Sequence, residues 1–287
     1  MAARFQLNGK VALVSGGARG IGLATATELA RRGCSVVVVD LDPEGAAAAA
    51  EALPGPGLGI GADVTDRGAM QAAVATTVER FGGLDVVVAN AGIASRAATV
   101  RAMSGEAFDR VLDVNLYGVQ RTVAAALPEI TRRGGHVVVV SSVYAFVNGL
   151  GAAPYAMSKA GVEALGRTLR VELARHGAGA GVAYFGFIDT TMVQQAIDGD
   201  PLADRVRATL PGPLRKRLQP AAAGAAIADG IERRAPRIIR PRRWAIVAAL
   251  RGILNPLLDS YMTRDAELQA IAGELDERGD EEQRLTA

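Results

Sequence analysis

A single cysteine, Cys34, occurs in 287 residues, so the chain can form no internal disulfide, and a reducing compartment suits it. Histidine is nearly as scarce: His136 and His176 stand in unrelated contexts, which argues against a histidine-based metal centre, and no metal is expected. Neither sign of charge is in excess, since 32 basic and 30 acidic residues leave +2, and no global field steers the molecule toward nucleic acid. The first residues hold no basic region followed by a long apolar run, so a secretory signal is not expected and the protein reads as cytoplasmic. Internal repeats and low-complexity linkers are also missing, apart from an alanine-rich stretch at residues 46–50.

Hydrophobic residues, by contrast, make up 49% of the chain, ample for a packed core. Residues 10–15 (KVALVS) are a short β-rich run, followed by glycines and then by residues 21–32, whose apolar spacing is helical. Residues 35–40 (SVVVVD) repeat the run, and Asp42-Pro43 reads as a capped helix start. Further runs at 58–64, 84–89, 136–141 and 181–185 are each separated by a segment long enough for a crossover helix. Strands this apolar on both faces belong to a parallel sheet covered by helices on two sides. The alternation predicts an α/β fold, a doubly wound parallel sheet, in one domain over residues 1–241 with a helical C-terminal extension over 242–287.

Between the first strand and the first helix lies Ser15-Gly16-Gly17-Ala18-Arg19-Gly20-Ile21-Gly22. A backbone that must turn tightly and approach a diphosphate closely needs glycine there, and the helix start offers free N–H groups to the anion. Asp40, at the end of the second strand, suits the hydroxyls of an adenosine ribose. Arg19 could reach a 2′-phosphate, but Asp40 would repel that group and Leu41 brings no compensating charge, so NAD is expected over NADP. Downstream, Tyr155 and Lys159 are four residues apart and project from one helical face. A neighbouring ammonium and the helix start after Pro154 would both favour the phenolate of Tyr155, whose ordinary pKa of about 10 is too high for a base at neutral pH. An isolated Tyr-x-x-x-Lys is also common on solvated helix faces.

Taken together these features resemble the short-chain dehydrogenase/reductase family, with its Rossmann fold, from about Lys10 to Thr190. The glycine loop is similar to the family's TGxxxGxG with Ser15 in place of Thr, and Tyr155 and Lys159 match its YxxxK. The resemblance implies that Gly16, Ala18, Arg19, Gly20, Ile21, Asp40 and Leu41 hold the adenosine diphosphate half of the cofactor. It implies that Asp63 and Val64 contact adenine, and that Asn90 and Gly92, in Asn90-Ala91-Gly92, support the sheet beside the cofactor. It further implies Asn115 as holder of a proton-relay water, Ser142 as the group that fixes the substrate oxygen, Tyr155 as general acid/base, and Lys159 as its cation and a nicotinamide-ribose ligand. Ser141 competes with Ser142, and the family's spacing of thirteen residues to the tyrosine selects Ser142. Where the family usually has Pro-Gly, this chain has Phe185-Gly186; Gly186, the Ile188 backbone and Thr190 remain available to the nicotinamide.

The implied activity is reversible oxidation of a secondary alcohol to a ketone, on a lipophilic or ring-bearing small-molecule substrate under a lid over about residues 190–219. A homodimer or homotetramer is implied, with the helices carrying Asn115 and Tyr155 at the contact. A fold-keeping nucleotide binder without catalysis is the rival from another class. The extension holds an apolar helical stretch from Trp244 to Met262, preceded by six arginines between Arg233 and Arg243. Two readings stand for it: a covering of the substrate cleft or a subunit contact, or a helix lying on an anionic membrane surface. Arg251 and Pro256 interrupt the stretch and argue against a bilayer span. The final segment, residues 279–287, is polar and expected to fray.

Overall fold

The structure, a computed structural model, describes residues 4–286, with side chains only as far as residue 278. Over residues 279–286, where fraying is expected, the backbone continues the last helix, and residue 287 falls outside the described residues. Seven strands build one sheet: β1 (Val11–Ser15), β2 (Ser35–Asp40), β3 (Gly57–Gly61), β4 (Val86–Ala89), β5 (His136–Ser142), β6 (Gly179–Phe185) and β7 (Arg237–Arg240). All neighbours are parallel, in the order β3-β2-β1-β4-β5-β6-β7. The chain therefore starts mid-sheet, winds outward to β3, and crosses back to β4 on the other side of β1. At that reversal the connections from β1 and β4 leave toward opposite faces, which opens a crevice beyond Ser15 and Ala89, paired residues at the two strand ends.

Helices cover both faces because alternate strand residues point opposite ways. Val36 and Val38 share one core with Ala26 and Leu29 of α1 (Gly20–Arg31), Ala46 of α2 (Pro43–Glu51) and Ile227 of the later helix over Pro220–Glu232. Val37 and Val39 belong to the opposite core, with Met70 of α3 (Arg67–Phe81). Beyond α3 come α4 (Gly105–Leu112) and α5 (Val119–Arg133), joined by a π-helical turn at Asp113–Gly118, and then α6 (Ala153–Glu172). The segment over residues 190–219, expected to form the lid, contains α7 (Thr191–Val193), α8 (Pro201–Ala208) and α9 (Gly212–Arg215); α10 (Pro220–Glu232) returns the chain to β7. Two further helices follow, α11 (Trp244–Met262) and α12 (Ala266–Thr286).

Two strands are shorter than the sequence predicts. The third, expected over 58–64, stops at Gly61, because the Asp63 carboxylate accepts the Thr65 N–H at 2.8 Å and turns the chain, and Asp66 then caps α3. Asp63 and Val64 thus sit in the turn after β3. The fourth, expected from 84, begins at Val86, after the buried Asp85. That carboxylate accepts Val11 N–H at 3.0 Å and Arg133 Nε at 2.9 Å, with Lys10 Nζ at 3.3 Å, and so ties β1, β4 and α5 at the amino end of the sheet.

Burial opposes the charge of Asp85, yet Arg133, the Val11 N–H and Lys10 overcome this and hold the carboxyl below the usual range. Asp85→Ala strands the Arg133 guanidinium and the Val11 N–H, and should cost about 3 kcal/mol in urea unfolding. A carboxylate held low in the fold contributes fully above about pH 4 and loses its contribution as pH falls through its lower native value. The gap between wild type and Asp85→Ala should therefore narrow in acid; a gap independent of pH would refute the assignment.

Candidate active site

The glycine loop leaves β1 at the crevice with no side chains in the way. Gly16 and Gly20 take φ of 62° and 57°, where other residues are strained. A Cβ on Gly22 would lie 1.9 Å from Gly16 O, so only glycine lets α1 start this close to the loop. Asn90 is the strut that keeps the loop open: its Nδ2 donates to Ser15 O at 3.1 Å and Gly16 O at 3.0 Å, while the Ser15 hydroxyl accepts Asn90 N–H at 3.1 Å. Asp40 sits across the crevice, its carboxylate accepting Ala18 N–H at 3.0 Å and Asp42 N–H at 3.3 Å. Leu41 beside it is 67% exposed.

One groove gathers almost every residue singled out in the sequence. Gly16, Arg19, Gly20, Ile21, Asp40 and Leu41 line one end, Asp63, Val64, Asn90 and Gly92 the middle, and Ser142, Tyr155, Lys159, Gly186, Ile188 and Thr190 the other. Ala18 and Asn115 stand behind its wall, Ala18 holding Asp40 and Asn115 holding the Asn90–Ile93 segment. The Asn115 amide accepts Ile93 N–H at 2.7 Å and donates to Ile93 O at 2.9 Å, and it lies in the π-helical turn between α4 and α5. The extra residue in such a turn pushes a side chain inward, a feature common at functional sites. A bare loop at a helix start, with a carboxylate at the far end, fits the diphosphate and ribose of a dinucleotide.

At the carboxyl end of β5 the reactive groups meet. Ser142 Oγ donates to Phe185 O at 3.3 Å and hydrogen-bonds the Tyr155 phenol. Lys159 Nζ donates to Val140 O at 3.1 Å and lies 5.5 Å from the Tyr155 ring centre. The Tyr144 ring meets that of Tyr155 edge-on at 5.7 Å.

The protonation expected from spacing alone is corrected here. Burial pushes Tyr155 up to about 12, with the Ser142 hydrogen bond opposing, and pushes Lys159 down to about 8. Four-residue spacing did place phenol and ammonium on one face, but that face is dry, and loss of water penalises both charges. Ser141, the competing serine, points away and donates to Lys159 O at 2.7 Å.

Beside Ser142 and Tyr155 opens an apolar cavity of about 840 Å3, its mouth included, walled by Leu150, Phe187, Met192, Val193, Ile197 and Val206. Four of these six come from the lid. The outside of the lid is strapped by α12. Asp200, which caps α8, is bridged by Arg278 through contacts of 2.6 and 2.5 Å, and Arg278 also donates to Ala97 O at 2.9 Å. Asp276 accepts from Thr99, Glu274 pairs with Arg205 at 2.8 Å, and Leu275 is buried against Gly151.

The cleft-covering element is thus α12 and not the tryptophan helix α11. From α11, Trp244 is fully buried behind the turn after β6, so close that a Cβ on Gly186 would lie 2.6 Å from its Nε1. Tyr144 and Arg278 are the site residues the sequence reading missed. Tyr144 could have been noticed two residues after Ser142, whereas nothing local marks Arg278, whose partner lies 78 residues away.

A parallel doubly wound sheet with a dinucleotide groove and a Ser-Tyr-Lys cluster at its carboxyl edge defines an oxidoreductase fold. The short chain dehydrogenase family model matches residues 10–200, and the chain belongs to that family. It is 35% identical over 228 residues to the L-fucose dehydrogenase of Rattus norvegicus, covering 79% of this chain and 84% of that protein. With a 3-oxoacyl-[acyl-carrier-protein] reductase of Thermotoga maritima it shares 38% identity over 195 residues, 67% of this chain and 79% of the relative.

Among solved structures, levodione reductase superposes with a TM-score of 0.75 at 28% identity, covering 81% of this chain and 96% of that one. A 3-ketoacyl-(acyl-carrier-protein) reductase from Brucella melitensis, complexed with NADH, gives 0.74 at 26% identity, with 82% and 99% covered. The protein is therefore a short-chain dehydrogenase/reductase, acting on alcohols or ketones with an NAD(P) cofactor.

Arg278→Met leaves the Asp200 carboxylate buried without its guanidinium, a loss of about 3 kcal/mol concentrated at the lid. Trypsin should then cut within residues 190–219 several-fold faster than in wild type, while a cut elsewhere stays slow. Equal lid cleavage in the two proteins would show that α12 does not hold the lid.

Proposed function

We propose that the protein interconverts a secondary alcohol and a ketone on an uncharged, lipophilic or ring-bearing substrate, with NAD favoured over NADP. The observation that carries this reading is the junction of the cavity with the groove: Ser142 and Tyr155 line both. A carbonyl or carbinol oxygen placed between their hydroxyls would leave the rest of the molecule among Leu150, Met192, Ile197 and Val206. No Asp, Glu, Lys or Arg lines that cavity, which disfavours ionised substrates.

A nicotinamide held by Lys159, Gly186, the Ile188 backbone and Thr190 would supply the hydride acceptor or donor for the carbinol or carbonyl carbon. Tyr155 takes the hydroxyl proton in oxidation and gives its own phenolic proton to the oxygen in reduction. Ser142 holds that oxygen in either state, since a hydroxyl both donates and accepts. Lys159, at about 8, stays mainly protonated at neutral pH and lowers the cost of the phenolate as it forms. Asn115 keeps the Asn90–Ile93 segment in place, and Gly92 leaves the space between them free: a Cβ there would lie 3.2 Å from Asn115 Oδ1 and 3.5 Å from Lys159 Nζ.

Preference for NAD rests on Asp40, whose carboxylate lies beside the loop where a 2′-phosphate would have to fit. Residues 1–241 form the catalytic domain and 242–287 the extension that closes and braces it. Two copies meet through the helices around Asn115 and Tyr155, where Tyr117 and Met157 are 54% and 53% exposed; light scattering showing a monomer would refute this. Among the described residues no helix is long and apolar enough to cross a membrane.

Tyr155→Phe should lower turnover of a cyclic ketone by about 10²–10⁴-fold, while cofactor fluorescence titration stays near wild type; undiminished turnover would leave a binding protein as the better reading. A phenol held near 12 stays protonated through neutral pH. Alcohol oxidation, which needs its conjugate base, should rise with pH, whereas ketone reduction should not. Asp40→Asn should narrow the NAD-over-NADP preference by about tenfold, equivalent to about 1.4 kcal/mol; an unchanged ratio of kcat/KM values would assign the preference elsewhere.

A further inference from the structure

Among the described residues the outer face of α11 has no partner in the fold. Its inner face is well used: Trp244 is buried, Val247 and Ala248 pack on the core, and Arg251 binds Glu163 of α6 through two contacts of 2.8 Å. On the other side Ile246, Leu250, Ile253 and Leu257 follow one another at helical spacing, and Ile246, Ile253 and Leu257 are 66%, 67% and 64% exposed. Leu258 and Tyr261 lengthen the stripe at 43% and 61%. Arg251 is the sole charge between Trp244 and Leu258, and it is turned inward.

At the N-terminal end of this stripe the chain gathers positive charge. Arg237 and Arg242 are exposed, and among the described residues neither they nor Arg240 has a carboxylate partner. Partial burial disfavours the charge of Arg240 most, Arg242 and Arg233 add to that, and Asp229 opposes them. An apolar stripe ending in unneutralised arginines is complementary to a surface that is apolar inside and negative at its rim.

We infer that α11 docks this protein on a bilayer surface carrying anionic lipid, with Ile246, Leu250, Ile253 and Leu257 entering the acyl boundary and Arg237 and Arg242 meeting the headgroups. A stripe one side chain wide, about 17 Å long at about 1.5 Å per residue, falls short of the roughly 800 Å2 that each partner of a stable protein complex buries. Interfacial insertion asks for no more than such a stripe. At the start of α11, Arg243 donates to Lys216 O at 2.6 Å in the segment that covers the apolar cavity, so docking would bring that segment close to the lipid. The docking itself does not depend on the catalytic reading.

The test is vesicle sedimentation of the full chain at low salt. Vesicles of equal parts phosphatidylcholine and phosphatidylglycerol should carry the protein down, and vesicles of phosphatidylcholine alone should bind it far less. Arg242→Gln should weaken binding about fivefold, the effect of about 1 kcal/mol per arginine near an anionic surface. The double variant Ile253→Asp with Leu257→Asp should abolish binding, while turnover of a water-soluble ketone without vesicles stays at the wild-type rate; neither residue touches the core, so folding is preserved. Failure to sediment with anionic vesicles would overturn the proposal. So would self-association in light scattering that the double variant removes, since the stripe would then belong to a second copy.

Discussion

Everything at the active edge depends on how closely α1, β1 and β4 are brought together where the strand order reverses. Gly22 stands against Gly16 O at a distance no Cβ could tolerate, and the Asn90 amide clamps the carbonyls of Ser15 and Gly16 from the neighbouring strand. That clamp holds a loop without side chains at the start of a helix, which is what an anionic diphosphate requires. It also carries the chain straight from Asn90 to Gly92 and Ile93, whose backbone is gripped by Asn115, so one tight junction sets the height of both halves of the groove.

The second constraint is dryness. Ser142, Tyr155 and Lys159 lie at the edge of a core of valines, and burial moves phenol and ammonium away from their charged forms. A site arranged this way keeps its proton on the tyrosine until chemistry demands otherwise, and it keeps a cation at hand for that moment. The apolar lid extends the same condition to the substrate. The Asp200–Arg278 bridge adds a further consequence: a segment that is exposed loop and short helix is held from outside by the chain's last helix.

The relatives differ widely by their names, an L-fucose dehydrogenase among them and a 3-oxoacyl-[acyl-carrier-protein] reductase. The family model covers residues 10–200, the stretch that carries the groove and the Ser-Tyr-Lys cluster of this chain, and α11 and α12 lie beyond it. Trp244 behind Gly186 and Leu275 under Gly151 show that the extension reaches the back of the site from two directions.

Much of the molecule was legible in the sequence because its determinants are local. Alternating valine runs give strands, Asp42 and Asp66 give caps, and a glycine loop after a strand gives the anion site; each acts within a few residues. The doubly wound parallel sheet also followed, since strands apolar on both faces and separated by helices leave few other arrangements. Three matters were decided only in three dimensions. The proton affinities of Tyr155 and Lys159 depend on solvent exclusion by residues far away in the chain. The strap over the lid joins Asp200 to Arg278 across 78 residues. The two faces of α11 are both apolar in sequence, and only packing on the core and the Arg251–Glu163 pair with α6 decides which of them is buried.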